Sequence, residues 1–363
     1  MRSKRWTLTL ALAACGLAAL LAGLALAKPP KTPPPPPPPP IQYSVTWLGT
    51  LGGGGSFAYG INSQGDVVGA AAIVVGSPSH AFLYTASAGM VDLNSLIDPQ
   101  SGWVLVGAKG INDAGQIVGG GYNPSGLRRA FRYTPQAGTW GKVDDLGVPS
   151  PEYLRSSAYE INNWGEVCGT YSANADGSGK SQAFYFSDAT GMVSIFPDGR
   201  GSTAYAINDD AQVVGQLDLE DGTNSAAAFR YTPDGAGGGS VELFMPPRAR
   251  KTGYTFARAC DINNDGTFTG YWNTVGIFRY TDGSGVKGLG GEGTGYGINN
   301  NGDVTGWAFI SGCSFFVYTD AWGLRSLDGF IPGGAAGDGK INDAGQICGR
   351  TLDNRAFLLT PIR

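Results

Sequence analysis

The sequence has very few of the residues on which common catalytic and metal sites depend. It contains one histidine, His80, and five cysteines among 363 residues. A Ser-His-Asp or Cys-His arrangement needs a histidine beside its nucleophile, and zinc sites need several His or Cys ligands at set spacings. His80 falls at a repeat position within an aromatic strand, and the cysteines show no ligand spacing. We therefore expect no catalytic residues of these types, no metal and no cofactor.

Charge is also scarce, at 15% of residues, and no segment has the periodicity of an amphipathic helix. Beyond residue 27 the chain carries 22 basic and 29 acidic residues, a net charge of about minus seven. Such a surface repels phosphate backbones. The one basic cluster, Arg248, Arg250 and Lys251, is short and is typical of a solvated loop. The sequence predicts no nucleic-acid partner.

The N-terminus predicts export. Arg2, Lys4 and Arg5 precede an apolar run that ends in Ala25, Leu26 and Ala27, so residues 1–27 are predicted to be a signal peptide. A lipobox that would acylate Cys15, or an uncleaved membrane anchor, are the alternatives. Residues 28–40 form a proline-rich linker, more typical of a stiff spacer than of a docking motif. We expect a secreted, extracellular or cell-surface protein that touches membrane only through such an anchor.

What the chain has in abundance is glycine, with 59 residues, among short apolar runs. The pair Ile-Asn recurs seven times, and a glycine follows each of these isoleucines at a distance of eight residues. Each unit continues with an aromatic segment such as "AFLYT" and a short alternating segment such as "MVDL". Units of about 45 residues with four strands each are typical of propeller blades. The recurring asparagines are Asn62, Asn112, Asn162, Asn208, Asn263, Asn299 and Asn342.

The seventh unit stops at "AFLLTPIR" and lacks a fourth strand, while the segment around Val45–Leu48 resembles one. The sequence thus predicts an all-β, seven-bladed β-propeller of four-stranded blades over residues 41–363, with its last blade closed by the N-terminal strand. We expect a monomer. An open β-solenoid is the alternative, but it has no use for a displaced strand at its start.

The unit "AYGIN…GDVVG…HAFLYT…GMVDL" resembles the repeat of the HAF family of bacterial extracellular proteins, and the resemblance covers Tyr43 to Arg363. It implies a secreted, propeller-like bacterial protein and supplies no catalytic residues. The chain departs from the fullest pattern, because only the first unit keeps the histidine. It also ends without the sorting tail of many relatives.

Residues that recur in every unit build blades, so function is expected where one unit departs from the others. Accordingly, we interpret the recurring asparagines as structural turn residues, in preference to calcium ligands. Aromatic side chains in the links between blades are candidates for a ligand-binding face, by stacking on sugars or anchoring a protein. Packing between blades is the alternative for them. They are Trp103, Tyr153, Tyr254, Phe256 and Phe330.

Paired carboxylates are the catalytic arrangement that the sequence excludes least, since glycosidases need only two acidic side chains. Asp218, Glu220 and Asp221 form an acidic cluster in a predicted loop, and Glu152 and Asp198 lie in links. A solvated loop is the favoured interpretation, and a calcium ion held by the cluster is a further possibility. Four cysteines follow the signal segment, Cys168, Cys260, Cys313 and Cys348, and we expect four free thiols.

These observations predict a non-enzymatic binding propeller with an unknown extracellular ligand, either a glycan or a protein. A polysaccharide-active hydrolase or lyase on the same scaffold, or a purely structural surface protein, are the alternatives.

Overall fold

The computed structural model describes residues 41–177, 179–220, 225–246, 255–309 and 313–362. All of them belong to the second of two compact units of the chain, Pro40–Arg363. The predicted signal peptide and linker lie outside the described residues, as do Asp221, Tyr254, the basic cluster and the side chain of Cys313.

The described chain folds into seven four-stranded antiparallel sheets arranged as blades in a ring, a seven-bladed β-propeller. Each blade runs outward from a first strand at the central channel. The first strands are β2 Ser56–Ile61, β6 Val104–Ile111, β10 Arg155–Ile161, β14 Ser202–Ile207, β18 Ala257–Ile262, β22 Glu292–Ile298 and β26 Ala335–Ile341. The second strands are β3 Val67–Ala72, β7 Ile117–Tyr122, β11 Val167–Ser172, β15 Val213–Asp218, β19 Phe268–Trp272, β23 Val304–Phe309 and β27 Ile347–Thr351.

The two outer strands complete each blade. The third strands are β4 Ser79–Thr85, β8 Arg128–Thr134, β12 Gln182–Ser187, β16 Ala226–Pro233, β20 Gly276–Thr281, β24 Cys313–Thr319 and β28 Ala356–Ile362. The fourth strands are β5 Gly89–Asp92, β9 Lys142–Asp145, β13 Gly191–Ser194, β17 Gly239–Phe244, β21 Gly285–Gly288, β25 Gly323–Ser326 and β1 Gln42–Trp47. Two short 3₁₀ helices, Leu93–Leu96 and Asp328–Phe330, are the only helices among the described residues, and no helix there is long and apolar enough to cross a membrane.

The N-terminal strand closes the ring, as the sequence predicts. Strand β1 pairs antiparallel with β28 along its whole length, from Gln42 opposite Ile362 to Trp47 opposite Phe357. The seventh sheet therefore has the order β1-β28-β27-β26, joining the two ends of the domain in one blade. Pairing the first strand with the last leaves no blade short of an outer strand.

The core lies between blades, because each apolar cluster draws on two neighbouring sheets. Val68 and Ala81 of the first blade, for example, pack with Leu105 and Phe131 of the second. A phenylalanine of every third strand is fully buried, and each lies opposite the recurring glycine of the second strand, as Phe82 lies opposite Gly69. A Cβ on Gly69 would come within 1.8 Å of the Phe57 carbonyl oxygen and 2.6 Å of the Phe82 ring. The repeated glycine is thus required by close packing.

Antiparallel pairing sorts the connections onto two faces of the disc. The Asn-x-x-Gly turns between first and second strands define one face, which we call the turn face. The links between blades define the opposite face, the link face; they comprise 48–55, 93–103, 146–154, 195–201, 289–291, 327–334 and the described parts of 245–256. The channel runs between the two faces.

Candidate functional site

The link-face aromatics that the sequence singles out are half-buried where the structure describes them. Trp103 packs edge-on to Phe131, with 6.5 Å between ring centroids, and Tyr153 packs on Tyr171 at 4.6 Å. Phe330 contacts Tyr43 and Phe256 contacts Tyr271, at 5.7 and 5.9 Å. Each ring thus packs on an aromatic side chain of a blade, and Tyr254 lies outside the described residues.

The acidic candidates in the described part of the chain each have a different partner. Asp218, at the end of β15, accepts a hydrogen bond from the Gln216 side chain, whereas Glu220 is paired with Lys180. Asp198 pairs with Arg200 at 2.7 Å. Asp221 lies outside the described residues. Among the described residues, no group of three or more His, Cys, Asp or Glu side chains is arranged to hold a metal ion.

The seven recurring asparagines form a closed ring at the turn-face mouth of the channel, which we call the asparagine ring. Each side-chain Nδ2 donates to the backbone oxygen of the asparagine in the next blade, at distances from 3.0 to 3.4 Å. Asn342 of the last blade donates to Asn62 of the first. Each Oδ1 accepts the backbone N–H four residues on, as Asn208 Oδ1 does from Gln212. These asparagines therefore fix their own turns and tie neighbouring blades together.

Side chains at the end of each inner strand reach the channel because every inner strand carries a β-bulge just before its Ile-Asn pair. A bulge leaves one residue out of the ladder and turns its side chain. The channel contains a cavity of about 290 Å³. In six blades the residue left out of the ladder by the bulge lines this cavity; these residues are Tyr59, Lys109, Tyr159, Tyr205, Cys260 and Tyr296. Arg258, Glu160, Asp338 and Lys340 complete the lining.

A buried charge cluster crosses the channel at the base of this cavity, and we call Glu160, Asp261 and Lys340 the channel triad. Lys340 Nζ lies 2.7 Å from Asp261 Oδ1 and 3.3 Å from Glu160 Oε2. The side chains of Lys340, Glu160 and Asp261 expose 19%, 17% and 11% of their surface. Both carboxylates hold the same ammonium, so these two oxygens are at most about 6 Å apart. Strands β10, β18 and β26 supply one residue each, so the triad joins three separate blades.

Burial and charge set unusual proton affinities in the triad. Desolvation, together with the charge of Asp261, raises the pKa of Glu160 to about 7 against the opposing attraction of Lys340. The two carboxylates hold the pKa of Lys340 above its ordinary value despite burial. Glu160 is thus a carboxyl group that exchanges its proton near neutral pH, the range in which general acid–base catalysts work best.

Two cations line the cavity above the triad. The Lys109 ammonium lies 3.3 Å from the centroid of the Tyr59 ring, and Arg258 stacks on Tyr296 at 5.5 Å. Burial lowers the pKa of Lys109 to about 8, while Asp338 and Arg350 act on it in opposite directions. Arg258 also donates to the hydroxyl groups of Thr294 and Tyr296.

The cavity communicates with both faces. It shares Glu160 and Lys340 with a polar vestibule of about 190 Å³ that the asparagine ring surrounds on the turn face. It shares Tyr296 and Asp338 with a second pocket of about 420 Å³, lined by Trp307, Arg350, Leu352 and residues 334–337. The cavity therefore lies between two openings, and Glu160 lines both the cavity and the vestibule on the turn face.

The channel residues were missed at the level of sequence, although the sequence contains their signal. The residue before each Ile-Asn pair is Gly or Ala in four units and charged in three, namely Glu160, Asp261 and Lys340. The residue before that is Tyr in four units but Lys109 in one. Departure from the repeat, which was applied only to the links, also singles out these positions of the inner strands.

The single histidine and the described cysteines lie in the blades. His80, in β4, pairs through Nδ1 with Asp92 Oδ2 at 2.7 Å and does not line the cavity. Cys168, Cys260 and Cys348 are buried free thiols, and burial raises the pKa of each. Of these residues only Cys260 also lines the channel cavity, where the other acid–base groups are carboxyl, amine, guanidinium and phenol groups.

No protein-family model and no curated protein sequence matches the chain. Solved structures resemble it in fold. A catalytically inactive histidine-to-alanine variant of virginiamycin B lyase from Staphylococcus aureus, with quinupristin, aligns at 14% identity and a TM-score of 0.51, over 88% of this chain and 100% of that one. A gluconolactonase from Xanthomonas campestris aligns at 11% identity and 0.43, over 88% and 90%. A structural-genomics target named as a candidate gluconolactonase aligns at 10% and 0.44, over 89% and 93%.

These likenesses concern the fold, and they correct one prediction made from the sequence. The expectation that the chain is not an enzyme is wrong, because propellers that match nearly its whole described length include enzymes such as virginiamycin B lyase. The expectation rested on the missing histidine bases and metal ligands. Acid–base catalysis does not require either of these, since a carboxyl group with a pKa near neutral is also suited to it.

Proposed function

We propose that the protein is a carbohydrate-active hydrolase or lyase whose reaction takes place in the central channel, with Glu160 as the group that exchanges a proton with the substrate. The observation that carries this proposal is the position of Glu160. Its carboxyl group lies at the base of a cavity, on Lys340 and close to Asp261, with a pKa of about 7.

The cavity wall supports a sugar substrate. Four tyrosines line it, and Tyr159 and Tyr205 stand nearly parallel, with 6.3 Å between their ring centroids. Aromatic rings offer flat apolar faces to sugars, and their hydroxyl groups offer hydrogen bonds. Trp307 and Leu352 in the adjoining pocket extend this surface toward the link face. A chain of sugar units entering from that side would bring a glycosidic bond within reach of Glu160.

Each member of the triad has a separate part in the proposed reaction. In its protonated form Glu160 donates to the oxygen of the leaving sugar, which departs as an alcohol. Lys340 holds the carboxyl group in place, and its charge stabilises the carboxylate left behind. Asp261 accepts the Ile298 backbone N–H at 2.9 Å and lies on Lys340, so it positions the lysine. General acid catalysis of this kind contributes roughly 10²- to 10⁴-fold in rate.

Hydrolysis and elimination differ in what replaces the broken bond. In hydrolysis, water attacks the anomeric carbon, and glycosidases use a second carboxylate for that step. Asp261, whose Oδ1 lies at most about 6 Å from Glu160 Oε2, is the carboxylate that would take this step in addition to positioning Lys340. In elimination, a base removes a proton from the carbon beside a carboxylate, and a carbon–carbon double bond forms as the leaving oxygen departs.

The proposal also includes the cellular location of the protein. We propose a secreted or cell-surface protein, on the basis of the N-terminal sequence and the resemblance to the HAF family. Polysaccharides and short glycans are substrates that such a protein meets outside the cell.

The test is a panel of polysaccharides incubated with the purified protein in ¹⁸O-labelled water, with mass spectrometry of the products. Label in a new reducing end identifies hydrolysis, and an unlabelled product with a new double bond identifies elimination. The E160Q variant should lose at least about 100-fold of the activity. The matched control is E220Q, which removes a carboxylate paired with a lysine outside the channel. Cleavage that survives in E160Q, or that is lost equally in E220Q, would contradict the proposal.

A further inference from the structure

The channel cavity combines two cations that are not matched by carboxylates. Among the described residues, neither Lys109 nor Arg258 forms an ion pair with Asp or Glu, although both line the cavity. The other cations nearby have partners. Lys340 is shared by Glu160 and Asp261, and Arg350 Nε lies 3.5 Å from Asp338 Oδ1. Lys109 and Arg258 therefore present positive charge without a direct carboxylate partner, and Asp338 acts on Lys109 only from beyond ion-pair distance.

Their placement is that of a subsite with two walls. Lys109 extends from the second blade and Arg258 from the fifth, and blades three apart in a ring of seven stand on opposite sides of the channel. Each cation is stacked on a tyrosine, Tyr59 or Tyr296, which limits its movement. Arg258 is held further by the hydroxyl groups of Thr294 and Tyr296, which accept hydrogen bonds from its guanidinium group.

The overall negative charge of the protein contrasts with these two cations in the cavity. The full sequence carries a formal charge of minus four, so an anion is repelled by the surface as a whole. A cleft of opposite sign concentrates field lines and counter-ions within it. Burial already disfavours the Lys109 ammonium and lowers its pKa to about 8, and an anion beside it would relieve that cost.

We propose that Lys109 and Arg258 form an anion subsite in the channel and that the substrate of this protein is a carbohydrate bearing carboxylates, a chain of uronic acid units. The substrate class rests on the proposed function, whereas the anion subsite does not. A carboxylate matches the donor groups of a guanidinium, and its sugar ring matches the tyrosines around it. The Lys109 ammonium, on the opposite wall, provides the second point of attachment.

The experiment measures the affinity of trigalacturonate and of its fully methyl-esterified form by calorimetry, using the E160Q variant so that no turnover occurs. The acid should bind at least tenfold more tightly than the neutral ester. Lys109→Met and Arg258→Met, each added to E160Q, should each weaken binding of the acid at least tenfold and leave the ester unaffected. The control is Lys287→Met, an exposed lysine on β21, which should change neither affinity.

Three results would overturn the inference. They are equal affinity for acid and ester, an unchanged affinity in both Lys109→Met and Arg258→Met, or an equal loss in Lys287→Met. Tighter binding of a sulfated trisaccharide than of trigalacturonate would overturn the assignment of carboxylate. Circular dichroism and urea unfolding confirm that each variant is folded.

This outcome is separable from that of the proposed function. Cleavage of neutral glycans without preference for the acid would refute the anion subsite and leave the enzyme intact. Lys109-dependent binding of the acid without cleavage by the wild-type protein would support the subsite and refute the proposed function.

Discussion

Each triad residue precedes an asparagine of the ring by two positions in the sequence, yet the asparagine repeats in all seven blades and the triad residues occur in three. The asparagines bond to their own turns and to the next blade, so each blade needs its copy. The triad residues bond across the channel to one another, and the corresponding positions in other blades hold Gly or Ala. Repetition thus marks the parts that assemble the ring, and departure from repetition marks a cluster with its own chemistry.

The largest effect is expected from removing the shared cation of the triad. Lys340→Met leaves two buried carboxylates without a cation, and breaking a buried ion pair from one side costs about 3–5 kcal/mol of unfolding free energy. Urea denaturation measures this loss of unfolding free energy. Replacing all three members, with Glu160→Gln and Asp261→Asn added, should recover at least half of the loss. Lys287→Met, an exposed lysine paired with Asp320, should cost less than about 1 kcal/mol. A loss for Lys340→Met no larger than that would refute the triad.

A single asparagine of the ring should affect stability but not catalysis. Asn208→Ala removes the bond to the Asn263 oxygen and the acceptor for the Gln212 N–H, both in a buried turn. Buried groups left without partners cost about 1–3 kcal/mol each, so we expect a loss of about 3 kcal/mol in urea denaturation with kcat unchanged. The control is Asn123→Ala, whose side chain accepts two N–H bonds in an exposed turn, and it should cost less than half as much. Equal losses of unfolding free energy in the two variants would show that the bonds between blades in the asparagine ring add no stability beyond that of a single turn.

Gly110 lies on an inner strand just before the asparagine ring, and its lack of a side chain makes room for Glu160 of the channel triad. A Cβ at this position would lie 2.6 Å from Glu160 Oε1 and 3.0 Å from its Cα. Gly110→Ala should therefore displace the carboxyl group and lower kcat/KM by about tenfold, or about 1.4 kcal/mol in barrier height. Gly107→Ala on the same strand is the control, since its Cβ would meet only the Ala70 side chain at 3.6 Å. Equal activity in the two variants would count against Glu160.

The smallest effect concerns the one blade that departs from the turn pattern. Ala211 replaces the glycine of the Asn-x-x-Gly turn and holds φ at +59°, whereas Gly115 in the second blade has φ of +73°. A left-handed conformation is strained for alanine, so Ala211→Gly should raise the unfolding free energy by about 0.5–1 kcal/mol. The reciprocal Gly115→Ala should lower it by a similar amount. Thermal or urea unfolding of both variants checks the sign, and destabilisation by Ala211→Gly would refute the argument.

The sequence was sufficient for the fold because the fold repeats. Seven copies of one pattern identify strand, turn and period, and the missing fourth strand of the last unit identified the closing role of β1. The recurring glycines are explained by close packing, because a Cβ on Gly69 would collide with the Phe82 ring. Local sequence patterns are sufficient to predict the fold where every blade packs its strands with the same residues at the same positions.

The channel site was harder to predict because its residues are distant in the chain. Glu160 and Lys340 are 180 positions apart, and their contact depends on the closure of the whole ring. Their pKa values depend on burial, which sequence spacing does not reveal. The link-face aromatics, by contrast, were conspicuous in the sequence, and the four in the described part pack against aromatic side chains of the blades.

The central claim is that Glu160 exchanges the proton in the channel, and the pH dependence of kcat/KM for the glycan identified in the panel tests it most directly. The protonated carboxyl group donates in the proposed step, and its pKa is about 7, so the rate should be level below that pH and fall tenfold per pH unit above it. The E160Q variant should retain a low rate without this inflection. A wild-type profile whose rate does not fall near pH 7, or the same inflection in E160Q, would contradict the account.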